Sequence, residues 1–195
     1  MANINVKDAS GSTVAIPITP IGQTTGSSSV SVVLASDQGT VGSVFGKGVT
    51  VEVTPTVTAN TYTAGYGVGG VMTFANILPA STFNGVLQSI TLKFKASLQT
   101  GVFAVAIFTA NPSNGTYTDR VAPTFNASDN PGLVGVYQLT TPLSVLGTQT
   151  IYNLDGIGKQ IVGSSTSLYA VLISVTASAA LASTTDVSLN LGVIQ

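Results

Sequence analysis

The chain has 195 residues, of which 7% are charged, and its net charge is −1. Because typical globular domains carry about 25% charged residues, we expect a neutral surface, rich in the Ser and Thr that make up about a quarter of this chain. There is no basic face to neutralise phosphates, which argues against a nucleic-acid partner, and there is no Cys or His, which excludes disulfides, thiolate metal sites and the common Ser-His-Asp and Cys-His catalytic arrangements.

The first 48 residues are predicted to form an extended N-terminal arm. Residues 4–7 and 13–18 are candidate short strands joined by a turn, residues 22–29 have linker composition, and residues 30–36 form another short extended segment. Such segments cannot bury their apolar side chains alone, so we expect the arm to become ordered against the main domain or another subunit; a flexible tail is the alternative. The expected partner-binding residues are Ile4, Val6, Val14, Ile16, Ile18, Val30, Val32 and Leu34.

Residues 49–195 are predicted to form an all-β domain, an antiparallel β-sandwich of the jelly-roll type. The eight predicted strands are 49–56, 70–74, 86–95, 102–109, 133–139, 148–152, 167–176 and 185–193. One short helix is predicted within residues 153–163, where Ile157, Ile161 and Val162 could share a face. The glycine-rich run 65–70 lacks the features of a phosphate loop and is interpreted as a bent edge strand.

Two strands are expected at the centre of the sandwich. Ile90, Leu92 and Phe94 alternate with polar residues, which is the pattern of a strand with one wet face. The run 102–108 is apolar throughout, as expected for a strand covered on both faces. We predict that these two strands pair with each other in an antiparallel arrangement.

The sequence predicts that the protein is not an enzyme and binds no cofactor or metal. Glu52 is its one glutamate, and the six aspartates sit mostly in apparent turns. A glycosidase needs two facing carboxyl groups and usually presents aromatic platforms, and this chain has no Trp. The aspartates are Asp8, Asp37, Asp119, Asp129, Asp155 and Asp186.

Three further features have interpretations that need no ligand. Loop 126–132 with Asp129, Asn130 and nearby Asp119 lacks the acidic spacing of a calcium loop, and Asx turns explain the same residues. The sequons at 114–116 and 126–128 match by chance if the protein is not exported. Lys93 and Lys95 are either a solvated pair or a contact for an acidic partner, and the sequence leaves this open.

Neither a membrane span nor a signal peptide is predicted. The mean hydropathy is +0.48, but Thr, Ser, Gly or Asn interrupts every candidate run of about 18 apolar residues. Residues 1–8 have neither a basic nor an apolar region of the kind that begins a signal peptide. The hydropathy is therefore attributed to a β-rich core.

Segments in both parts of the chain resemble known proteins. The opening NINVKDASG, then Ile16-Pro17 and the run SVSVVLASDQ at 29–38, resemble the N-terminal segment of structural proteins of tailed bacteriophages. The run VTPTVTANTYTAGYGVGG at 53–70, followed by TFAN at 73–76 and GVLQSI at 85–90, is similar to the start of a β-sandwich domain in such virion proteins.

This resemblance implies a phage head decoration (cement) protein or a related virion component. The expected partners are the major capsid protein and other copies of this chain, as a dimer or trimer. The expected location is the capsid surface of the virion, after synthesis in the host cytoplasm.

Two other functions stay open. A tail-fibre or receptor-binding module would grip a host glycan with the loops at one end of the sandwich. A carbohydrate-active enzyme or calcium-dependent lectin would depend on Asp129 or Glu52. The shortage of aromatic side chains suited to sugar stacking counts against both.

Overall fold

The computed structural model describes residues 3–7, 10–11, 13–17, 46–142 and 144–195. The chain divides into two compact units, Met1–Val44 and Phe45–Gln195. In the first unit, strands β1 (Asn3–Lys7) and β2 (Thr13–Pro17) form a two-stranded antiparallel sheet. The two short strands predicted at this end of the chain are therefore confirmed.

The second unit is built from two antiparallel sheets and almost no helix. Its strands are β3 (Gly48–Val53), β4 (Tyr66–Gly67), β5 (Met72–Phe74), β6 (Asn84–Phe94), β7 (Phe103–Phe108), β8 (Leu133–Leu139), β9 (Ser144–Leu146), β10 (Gln149–Val162), β11 (Leu168–Ser174) and β12 (Val187–Ile194). The first sheet has the order β3-β12-β6-β10-β9. The second has the order β4-β11-β7-β8, and β5 also pairs with β11. A 3-10 helix (Ala127–Gly132) precedes β8.

The pairing of the strands is nested in the way that defines a jelly roll. The first and last strands of the second unit, β3 and β12, pair with each other. Inside them β4 and β5 pair with β11, then β6 with β10, and finally β7 with β8. The predicted all-β, antiparallel jelly-roll sandwich is confirmed, but it has ten described strands, β3 to β12, where eight were predicted.

The central pairing predicted from the sequence is wrong. Strand β6 lies between β12 and β10 in the first sheet, whereas β7 lies between β11 and β8 in the second. The two strands face each other across the core, where the rings of Phe94 and Phe103 have centroids 4.9 Å apart and Tyr152 of β10 packs edge-on against both. The connection between β6 and β7 therefore crosses from one sheet to the other instead of making a hairpin.

The burial patterns predicted for these two strands are confirmed. Leu87, Ile90, Leu92 and Phe94 of β6 are buried, and the residues between them are partly exposed. All six residues of β7 are buried. Each strand is thus central to its own sheet, and β7 is covered on both faces.

The helix predicted within residues 153–163 is wrong. These residues continue β10, which pairs with β6 from Thr150 to Val162 and shifts register between Asp155 and Lys159. Gly156 and Gly158 have φ values of +68° and +65°, which glycine adopts without the steric cost of a side chain. Ile161 is buried and Val162 is exposed, as alternation along a strand requires.

Candidate interaction surface

The carboxylate of Asp119 joins three parts of one loop region. Its Oδ2 accepts hydrogen bonds from the backbone N and the hydroxyl of Thr58, at 2.9 and 2.6 Å. Its Oδ1 accepts from the Tyr62 hydroxyl and from the backbone N of Gly69, both at 2.7 Å. Gly69 has a φ of +75°, and a Cβ there would lie 2.7 Å from Cβ of Pro55, so this close approach requires glycine.

This arrangement keeps Asp119 ionised and Tyr62 neutral. Burial alone would raise the pKa of Asp119, but the hydrogen bonds from Thr58, Tyr62 and Gly69 outweigh it and hold that pKa below its usual value. Burial, together with the hydrogen bond to Asp119, raises the pKa of Tyr62. The Tyr62 hydroxyl therefore remains a donor well above neutral pH.

Asp129 fastens the long connection between β7 and β8 in the same way. Its Oδ1 accepts from Nδ2 and the backbone N of Asn114, at 2.7 and 3.3 Å, and its Oδ2 accepts from the Tyr117 hydroxyl at 3.2 Å. Burial would raise the pKa of Asp129, but these hydrogen bonds lower it overall. Asn126 caps the 3-10 helix by accepting from the backbone N of Ser128, so the Asx turn predicted in this loop is confirmed at Asn126.

Neither aspartate is arranged as a metal site. Asp119 and Asp129 belong to separate hydrogen-bond networks, and each faces donors rather than other oxygens. In the described part of the chain, no three side chains of His, Cys, Asp or Glu are grouped so that they could hold a metal ion. Asn114 and Asn126, the sequon asparagines, both use their side chains in this loop network.

The other carboxylates of the sandwich also serve the fold. Asp186 is buried and accepts from the backbone N of Ala96 at 2.6 Å, from the Ser97 hydroxyl at 2.5 Å and from the backbone N of Ala182 at 3.0 Å. Glu52 forms an ion pair with Lys93 at 3.2 Å on the outer face of the first sheet. Within the described residues these groups hold segments together, and the absence of an enzymatic function stays a prediction.

The outer face of the first sheet is polar. Glu52, Asn190, Thr91 and Asn153 stand in register across four neighbouring strands. Nδ2 of Asn190 donates to Glu52, and the Thr91 hydroxyl donates to Asn153 at 2.7 Å. Lys93 uses its charge in the pair with Glu52, and Lys95 donates to the Thr54 hydroxyl at 3.1 Å. Both lysines therefore have partners within the chain.

The outer face of the second sheet is apolar. Val171, Ala106 and Val136 stand in register across β11, β7 and β8, and we call these three residues the apolar row. Tyr117 and Phe125, from the long connection between β7 and β8, cover Phe108 beside this row. At the β8 end the row is open, because the side chain of Val136 is 55% exposed.

Strand β8 is the edge of the second sheet and has an uncharged sequence, LVGVYQL. It pairs with β7 on one side, so alternate residues direct their backbone N–H and C=O groups away from the sheet. A shallow cleft separates the start of β8 from the end of β10, with Val134 on one wall and Ile161 on the other. This edge was not predicted from the sequence, although residues 133–139 visibly lack charge.

The predicted partner-binding residues fall in two groups. Ile4, Val6, Val14 and Ile16 lie on the paired strands β1 and β2. The other four lie outside the described residues: Ile18, Val30, Val32 and Leu34. Their binding role stays a prediction. No helix in the described part of the chain is both long enough and apolar enough to span a bilayer.

Comparison with known proteins assigns no family. No family model matches the chain, and no curated protein matches it. Among solved structures, the chain is similar to one from the full particle of Israeli acute paralysis virus heated to 63 degrees, at 14% identity and a TM-score of 0.34, over 97% of this chain and 88% of that one. A likeness this weak assigns neither a family nor a function.

Proposed function

We propose that this protein is a non-enzymatic structural component of a tailed-phage virion. In this proposal residues 1–48 anchor it to the capsid or to adjacent copies, and residues 49–195 form an oligomeric sandwich on the capsid surface. The observation that carries the proposal is that, in the described part of the chain, the two units form separate sheets. The described strands of both sandwich sheets come from residues 48–194, and β1 and β2 pair with each other.

The composition of the N-terminal arm, residues 1–48, suits attachment to a protein shell. Its short runs of β-branched residues can add strands to a neighbouring sheet, where backbone hydrogen bonds give affinity with little sequence. The chain's net charge of −1 produces little repulsion between crowded copies. On a symmetric particle many weak contacts act together, so each need not be strong.

Binding to shells tests the anchoring role. Capsids of the parent phage lacking this protein are mixed with the full chain or with the triple variant Val30→Asp, Val32→Asp, Leu34→Asp, and bound protein is separated by sedimentation. We expect the triple variant to lose binding, since three carboxylates replace the apolar side chains of one candidate strand. The matched control adds the same charge at Ser27, Ser28 and Ser29 and should bind as the unchanged chain does. Equal binding by both triple variants, together with binding by a chain lacking residues 2–40, would contradict the proposal.

Electron microscopy of tagged virions tests where on the particle this protein lies. A copy carrying a C-terminal affinity tag is incorporated into virions and detected by electron microscopy with a gold-labelled ligand. We expect label distributed over the head. Label at the tail, with binding of the isolated protein to host cells, would instead support a receptor-binding module.

A further inference from the structure

We propose that Asn114 is a site of spontaneous deamidation, and that the carboxylate of Asp129 sets its rate by holding Asn114 and Gly115 in an unreactive geometry. In this reaction the backbone N of Gly115 attacks Cγ of Asn114. The Cγ–Nδ2 bond breaks, ammonia leaves with the amide proton, and a cyclic succinimide forms. Water then opens the ring to aspartate or isoaspartate. The inference goes beyond the proposed function, because it holds wherever the protein acts.

Asn-Gly is the dipeptide most prone to this reaction, because glycine has no side chain to shield its backbone N from attack. The chain contains two such dipeptides, Asn84-Gly85 and Asn114-Gly115. At residue 115 the structure requires glycine. A Cβ there would lie 2.6 Å from the Tyr117 hydroxyl oxygen and would overlap the carbonyl oxygen of Thr124. The fold therefore retains a reactive sequence at this position.

Asp129 interacts with both nitrogen atoms that take part in the reaction. Its Oδ1 accepts a hydrogen bond from Nδ2 of Asn114, the leaving nitrogen, at 2.7 Å. The backbone N–H of Gly115, the attacking nitrogen, also interacts with this carboxylate. Turning Cγ of Asn114 onto the backbone N of Gly115 therefore requires that the hydrogen bond from Nδ2 break.

The charge of Asp129 opposes the reaction as well. The attacking nitrogen must lose its proton, and the negative charge that develops on it lies beside an ionised carboxylate. Tyr117 adds a cover, because its hydroxyl donates to Oδ2 of Asp129 at 3.2 Å and its ring lies against Gly115. Local opening of this loop should therefore precede deamidation, and its free energy should limit the rate.

Deamidation would remove what Asn114 contributes to the loop. The new carboxylate replaces the donor Nδ2 and faces Asp129, so that two like charges lie where a hydrogen bond was. Tyr117 and Phe125, which cover Phe108 on the outer face of the second sheet, belong to the same connection between β7 and β8. We expect deamidation to loosen this cover, and the change is irreversible because ammonia has left.

Incubation of the full chain in water enriched in oxygen-18 tests the proposal, because only residues that deamidate during the incubation take up the label. Peptide mapping by mass spectrometry then gives the rate at each asparagine. We expect Asn114 to react about tenfold or more slowly in the folded protein than in a synthetic peptide of residues 111–118. Asp129→Ala should remove most of this difference, because it removes the acceptor that holds both nitrogens.

Two controls separate loss of the Asp129 contacts from general unfolding. Asn84-Gly85 reports opening of the sandwich, since Gly85 is buried within β6, and its rate should be the same in Asp129→Ala as in the unchanged chain. Asp119→Ala removes a comparably bonded carboxylate from the other loop network and should leave the rate at Asn114 unchanged. If circular dichroism shows that Asp129→Ala does not fold, Asp129→Asn takes its place, because it removes the charge and keeps an acceptor oxygen.

Each outcome decides the proposal. Acceleration at Asn114 alone, in a folded Asp129 variant, supports it. A folded chain whose Asn114 reacts as fast as the peptide overturns it, and so does an unchanged rate at Asn114 in the folded Asp129 variants. Equal acceleration by Asp119→Ala assigns the effect to general loosening and overturns the role of Asp129. Asn114→Asp, which mimics the product, should lower the urea midpoint more than Asn114→Ala, and equal midpoints would overturn the predicted repulsion.

Discussion

Asp119 shows how much of this molecule depends on single carboxylates. It accepts four hydrogen bonds, two of them from backbone N–H groups. It therefore gives hydrogen-bond partners to the backbone of a loop region, as a neighbouring strand would in a sheet. An ionised acceptor makes stronger hydrogen bonds than a neutral one. Asp129 does the same for the connection that precedes β8. The loops of the sandwich are therefore stabilised by charge in a chain that has little of it.

Replacing Asp119 with Asn should destabilise the fold. The amide offers one acceptor oxygen in place of two, so backbone or hydroxyl donors around it lose their partner, at a cost of about 1–3 kcal/mol. The free energy of unfolding is measured by urea denaturation. Asp155→Asn is the control, because Asp155 is exposed and takes a hydrogen bond from Asn153 on its own strand; it should change stability by less than about 0.5 kcal/mol. Equal effects of the two substitutions would contradict the role given to Asp119.

Acid should destabilise the protein through the same groups. The pKa values of Asp119 and Asp129 are below their usual value in the folded state, so their ionised forms stabilise it above the unfolded pKa of about 3.9. We expect the free energy of unfolding to hold between pH 7 and about 5, and to fall as pH drops through 4 toward the lower folded pKa values. Urea midpoints measured from pH 7 to about 2.5 test this. The double variant Asp119→Asn, Asp129→Asn should show a shallower acid slope, and an unchanged slope would refute the assignment.

At the scale of elements, the core depends on aromatic contacts between the sheets. Phe94 is fully buried against Phe103 and Tyr152. Phe94→Ala should cost about 3–5 kcal/mol through lost burial and a residual cavity. Phe125→Ala should cost about 1 kcal/mol or less, because Phe125 is 42% exposed. Chemical denaturation of both variants checks the difference, and a Phe125 effect as large as that of Phe94 would contradict this description of the core.

Individual strands were more predictable than their pairing. Residues 133–139 match β8 to the residue, because Pro131-Gly132 and the turn after Leu139 bound an uninterrupted apolar run. Strand β10 was predicted only to residue 152, and a helix was predicted within 153–163 because its apolar residues could share a helical face. Gly156 and Gly158 instead lie at a register shift within the strand.

The order of the strands within the sheets could not be predicted from the sequence. A short connection such as 95–102 can form a hairpin or cross between sheets, and local sequence does not distinguish the two. The pairing of β6 with β7 was therefore wrong. For the same reason the position of β8 at the edge of its sheet could not be predicted, because a strand lies at an edge only when one of its two sides has no paired strand.

At the scale of the whole molecule, the sandwich should fold without the N-terminal arm. The described strands of both sheets begin at Gly48, and the core cluster begins at Val57. A chain lacking residues 2–40 should therefore keep the far-ultraviolet circular dichroism of a β protein. Its urea midpoint should correspond to a free energy of unfolding within about 0.5 kcal/mol of the full chain. A large loss of stability would show that the N-terminal arm stabilises the folded sandwich.

The nested order of the strands also limits when the sandwich can fold during synthesis. Strand β12 lies between β3 and β6, so the first sheet cannot close until residues 187–194 have left the ribosome. At roughly 5–20 residues per second, β3 and β6 wait many seconds for the strand that joins them. During that interval the nascent chain exposes the uncharged strands β7 and β8 to its neighbours on the same messenger RNA. We therefore expect the nascent chain to be most prone to wrong association before residues 187–194 are made.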